Sequence, residues 1–112
     1  MNKEQPSNNR LMTPQSINDT IHYQENAIVS RKLIQQTTGT VTVFAFDKHQ
    51  GLSEHTAQHD AFVMITDGQA EITVSGVTYQ LKAGEMLLIP ANSPHALQAI
   101  EPFKMVLTMI KS

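Results

Sequence analysis

The chain has 112 residues, 40% of them hydrophobic, with no cysteine and a formal net charge of −2. That is the length of one domain with enough apolar material for a core, and it excludes disulfides and thiolate chemistry. No block of Lys and Arg offers nucleic acid or an anionic membrane a basic stripe, and no apolar run approaches the roughly 20 residues of a membrane helix.

The N-terminus, MNKEQPSNNRLMTPQS, lacks the apolar stretch of a secretion signal, so the expected setting is the cytoplasm, with no nucleic-acid or membrane partner. Residues 1–25 read as a polar extension, partly mobile, and 26–112 as the folded domain. Within the extension Ser16 is placed to cap a short helical turn with Ile17 and Ile21 on one face. Strand pattern begins at Ala27 and runs to Gln36, and Thr38-Gly39 turns the chain. VTVFAF (41–46) is β-branched and aromatic throughout, which fits a strand buried on both faces or at an interface.

GLSEHTAQHDAFVMITDG (51–68) reads as a polar turn carrying His55 and His59, then an apolar strand (61–65), then a hairpin at Asp67-Gly68. Ala70, Ile72 and Val74 alternate with Glu71 and Thr73, the period of a strand with one wet face. Turns follow at Ser75-Gly76 and Ala83-Gly84, with Val77, Tyr79 and Leu81 alternating between them. Met86 to Ile89 is a further apolar run, and the loop PANSP delivers His95. A last pair of strands flanks Glu101-Pro102. About eight strands with almost no helix predict an all-β antiparallel barrel or jelly roll with an extended N-terminal segment.

Three histidines at strand ends, His55, His59 and His95, are candidates for a divalent metal such as Zn, Fe, Mn or Ni. In one straight strand His55 and His59 stand about 13 Å apart, too far to share an ion, so Thr56-Ala57-Gln58 must fold back for both to bind. The plainer alternative is that His59 is a solvated turn residue and that His55 and His95 are satisfied by backbone carbonyls. His22 and His49 read as surface residues.

On these residues the chain resembles a small single-domain member of the cupin superfamily, of the RmlC-like conserved-barrel kind. The first cupin motif is glycine, five residues, His-x-His, three or four residues, Glu, six residues, glycine. Gly51 and Gly68 stand at its ends and His55 near its first histidine, while the second histidine falls at Ala57 and the glutamate at Ala61. In the second motif Gly84, Pro90 and His95 match at the family spacing, and Asn92 replaces the inner glycine. The resemblance covers roughly residues 40–110. It implies a double-stranded β-helix, a ligand set of three histidines and a glutamate, and a dimer.

Two functions follow as expectations. One is a cupin holding a divalent metal between His55, His59 and His95, for which the resemblance implies an activity of the oxygenase or isomerase kind. The other is a non-catalytic small-molecule binding module without metal. In either, Phe44, Met64, Met86 and Met105 are expected to line the pocket. A homodimer is expected, with 27–46 contributing.

Overall fold

Period-two alternation produces eight strands among residues 11–111, the part of the chain that the computed structural model describes. They are β1 (Ile28–Gln36), β2 (Gly39–Phe46), β3 (Gly51–His55), β4 (Asp60–Val74), β5 (Val77–Lys82), β6 (Met86–Ile89), β7 (His95–Gln98) and β8 (Phe103–Ile110). Every pairing is antiparallel. One sheet runs β1-β2-β8-β4-β6 and a smaller one β3-β7-β4-β5, so β4 belongs to both. The result is an all-β jelly roll, as the strand spacing predicts.

The sharing of β4 departs from the expected hairpin. Ala61, Val63 and Ile65 face the core from the first half of the strand, and Ala70 and Ile72 from the second. Between them the register with β8 shifts from Ile65 to Asp67, and Gly68 takes φ +72°. Asp67-Gly68 therefore bends a continuous strand from one sheet to the other instead of reversing it. Glycine is required there twice over: the φ is left-handed, and a Cβ would run into the Pro102 carbonyl oxygen. The shorter turns fall where expected, with Ser75-Gly76 (φ 49° and 85°) closing the β4–β5 hairpin.

The core forms where the sheets face each other. Phe46 and Phe103 are register partners on β2 and β8, are fully buried and stack with centroids 4.5 Å apart. Ile65, Ile72, Leu81 and Leu97 close around them. Each such side chain contributes about 1.5–3 kcal/mol on burial.

The outer side of VTVFAF is also buried, by the chain itself. Val43 and Ala45 point away from the core and pack against Ile21, with Tyr23 beside it. Residues Ile17–Asp19 form a single 3₁₀ turn, to which Ser16 gives no side-chain cap. Ile17 is exposed while Ile21 is buried, so the two do not share a face. Polar bonds hold this segment down. Asn18 Nδ2 donates to the Thr66 carbonyl at 2.8 Å, Arg31 Nη1 to that of Thr20 at 3.1 Å, and Lys104 Nζ to that of Asn18 at 2.6 Å. The Lys104 ammonium also lies 5.1 Å from the centre of the Tyr23 ring. The Tyr23 hydroxyl donates to Asp67 Oδ2 at 2.5 Å. Burial, reinforced by this bond and the Asp67 charge, holds that hydroxyl well above the usual tyrosine range. Of the polar extension expected over 1–25, residues 1–10 lie outside the described ones and 17–23 are a packed part of the fold.

Replacing Gly68 with alanine is expected to cost about 2 kcal/mol or more, since it adds both left-handed strain and a backbone collision. Urea denaturation measures this, and an unchanged midpoint would show that the bend in β4 does not rest on this residue.

Candidate functional site

Residues 51–55, expected as part of a polar turn, are strand β3. Gly51 permits it, because a Cβ at that position would sit 2.6 Å from the Leu97 carbonyl oxygen of the neighbouring strand. Pairing β3 with β7 sets Leu52 opposite Leu97 and His55 opposite His95. The two imidazoles, 40 residues apart in sequence, thus meet edge to face, with centroids 4.3 Å apart and planes at 60°. His95 is buried, and His55 stands exposed at the mouth.

Both rings are tethered in the same way. His55 Nδ1 lies 2.8 Å from the Ser53 carbonyl oxygen, and His95 Nδ1 2.8 Å from that of Ser93. A carbonyl only accepts, so each Nδ1 carries its hydrogen and donates. In the neutral ring that leaves the lone pair on Nε2. The pair therefore presents two fixed acceptor nitrogens.

They open onto a cavity of about 80 Å³ between the sheets. Phe44, Leu52, Val63, Ile89, Leu97, Met105, Leu107 and Met109 form its apolar wall, with Ala57 and Ala61 beside the histidines. Its mouth is laced by two bonds: Asn92 N–H donates to the Ala57 carbonyl at 2.7 Å, and Ala91 N–H to Asp60 Oδ1 at 2.9 Å.

Of the residues expected at the site, the structure brings together His55, His95, Phe44 and Met105. His59 is not among the lining residues. The chain bends after His55, but the bond from Asn92 draws Ala57 to the mouth, while His59 is half-buried with an Nδ1 that has no hydrogen-bond partner. Among the described residues no group of three or more His, Asp or Glu is placed to hold a metal ion. Met64 and Met86 also lie off the cavity. They are register partners on β4 and β6, and strand alternation turns them to the face opposite Val63 and Leu87. Sequence reasoning passed over Met109, although a period of two from Met105 along β8 places it on the inner face.

A cupin domain family matches residues 42–111 of this sequence. The chain belongs to the cupin family. A solved structure of similar shape is the conserved SPY1581 protein of unknown function from Streptococcus pyogenes, 35% identical, covering 89% of this chain and 88% of that one, with a TM-score of 0.85. A cupin superfamily protein (DSY2733) from Desulfitobacterium hafniense DCB-2 is 26% identical over 89% of this chain and 92% of that one, with a TM-score of 0.86. A cupin 2 conserved barrel domain protein from Leptotrichia buccalis is 36% identical over 85% of this chain and 46% of that one, with a TM-score of 0.82. No curated protein matches this chain.

In this cupin His55, Ala57, Ala61 and His95 all line one cavity, and these are the positions at which the motifs place the family's four ligands. The two imidazoles suit a metal, since a carbonyl on Nδ1 fixes the tautomer that leaves Nε2 free to bind. The two alanines supply nothing, and no carboxylate lines the wall. The residues present do not fit the divalent ion of the family's full set. The inner glycine of the second motif has a physical substitute: Asn92 has φ 67°, a left-handed conformation that asparagine tolerates better than other non-glycine residues.

Restoring the missing donors tests this reading. The double variant Ala57→His, Ala61→Glu is expected to take up close to one equivalent of Mn, Ni or Zn, where the parent takes up far less, as read by metal analysis after gel filtration. Equal metal content in the two proteins would show that these positions do not face a shared ion.

Proposed function

We propose that this cupin is a non-catalytic binding module that takes one small guest in its inner cavity, held by Nε2 of His55 and Nε2 of His95. The observation that carries the reading is the ring pair itself, 4.3 Å apart, with both Nδ1 atoms committed to backbone carbonyls and both Nε2 atoms left to a guest. Binding is favoured over turnover because the rest of the lining is apolar. It holds no carboxylate, hydroxyl or ammonium to complement the imidazoles as acid, base or nucleophile. The wall excludes water and so strengthens whatever polar contact a guest makes with the two nitrogens.

A thermal-shift panel of metal ions and small organic acids and phenols checks the reading. A guest at 100 times its Kd adds about 2.7 kcal/mol, a rise of several degrees in Tm. At least one member is expected to give that rise in the parent and not in His95→Ala. A panel without such a member would count against the site.

We further propose that the partner of this cupin is a second copy of itself. Ile34, Val41, Thr108, Phe62 and Leu88 form one register row across the outer face of the larger sheet. Ile34 and Leu88 are 52% and 63% exposed, and Met86 and Ile110 beside the row are also open. A groove of about 290 Å³ lies at the Phe62–Leu88–Ile110 end. The segment 17–23 packs over Val43 and Ala45, in a cluster that also takes in Val29, Leu33 and Val106, and among the described residues it leaves Ile34 and Leu88 open. The row is uncharged, so the same surface on a second molecule can face it. The expected 27–46 contribution reduces to Ile34 and Val41. Light scattering at micromolar concentration is expected to give twice the 12.4 kDa chain mass, and Ile34→Lys with Leu88→Lys to return the monomer. A parent protein that stays monomeric removes the proposal.

A further inference from the structure

We infer that the guest of the cavity is a soft monovalent metal ion, Cu(I), bound by Nε2 of His55, Nε2 of His95 and the thioether of Met109. The inference rests on the cavity being a binding site and goes on to name its occupant. Three observations carry it.

The first is charge. The donors at the cavity are imidazole and thioether, neither of which brings a negative charge, and the wall is apolar. The cost of moving an ion out of water rises with the square of its charge. A divalent ion here lacks the carboxylate that would offset that cost, whereas a monovalent ion carries about a quarter of it.

The second is donor type. Thioethers select Cu(I), and imidazole serves copper in either state. Met109 on β8 is the cross-strand partner of Ala61 on β4, and both line the cavity. Same-face partners of this kind have Cβ atoms about 4.5–5.5 Å apart. Met109 thus enters the cavity from the strand position opposite the alanine that stands where the cupin motif has its carboxylate, and an unbranched methionine side chain adapts to such a gap. Met105 lies on the same wall as a further sulfur.

The third is size. A cavity of about 80 Å³ falls well short of the roughly 300 Å³ at which sites for larger organic ligands begin. It accommodates an ion with at most a small co-ligand.

The test uses the full chain under anaerobic conditions. Cu(I) is supplied against bicinchoninate as competitor, and Ag(I) serves as its redox-inert stand-in for NMR of protein labelled at the methionine methyl carbons. One equivalent of Cu(I) is expected to be withdrawn from the competitor, with Zn(II) bound more weakly under matched conditions. With Ag(I) the Met109 methyl signal is expected to move and reach its limit at one equivalent, while those of Met12, Met64 and Met86 stay in place. Met109→Leu, a near-isosteric change that leaves the fold intact, is expected to lower Cu(I) affinity about tenfold or more. Copper uptake below about a tenth of an equivalent, equal affinity for Zn(II), or a Met109→Leu variant that binds like the parent would each overturn the assignment. Stabilisation by an organic acid or phenol that His95→Ala abolishes, without copper uptake, keeps the cavity as a binding site and removes copper from it. If neither copper nor an organic probe binds, both readings fall together.

Discussion

The bend in β4 at Asp67-Gly68 is the constraint on which this molecule turns. A strand that belongs to two sheets must change direction without losing its pairing, and here it does so against the backbone of Pro102 and Phe103. Glycine makes the close approach possible. The Asp67 carboxylate, one residue earlier, accepts the Tyr23 hydroxyl and helps anchor the N-terminal segment. Because the second half of β4 then pairs with β7, the smaller sheet lies over the larger one. Only in that arrangement does His95, the register partner of Val74 on β4, look into the space lined by Val63, Met105 and Leu107.

The site is a modified version of the cupin plan. The scaffold still brings four positions to one hollow, but only two of them retain a donor. What remains is built with care: each imidazole is tethered to the carbonyl two residues before it, at Ser53 and at Ser93. This repeated device fixes the orientation and the tautomer of each ring. The rest of the wall is apolar and offers a highly charged group no compensation.

Much of the fold was legible in the sequence. Alternation along 70–74 and 77–81 and the glycine turns are local signals, and they gave the right strands. The bend was not legible, because Asp-Gly is equally the signature of a reversal. What separates the two outcomes is the partner of the following residues, which is a non-local fact. At the site, the meeting of His55 and His95 could be anticipated from the motif spacing. The placing of His59 could not, because it depends on a hydrogen bond between loops, Asn92 to Ala57, that no local pattern encodes. Met64 and Met86 against Met105 and Met109 make the same point from the other side. Four apolar residues of one type divide between inside and outside by parity along their strands, and parity was available in the sequence once the strand register was known.

The N-terminal segment bears on where this protein can be cut. The family match begins at residue 42, but the physical unit begins well before it. A fragment trimmed to that boundary loses β1 and the Ile21 anchor together. It uncovers a greasy strip over Val43 and Ala45, and it strands the Lys104 ammonium, only 9% exposed, without the Asn18 carbonyl that receives it. Such a piece keeps every histidine of the cavity and still bares apolar surface that, in the intact chain, is covered by residues outside the match.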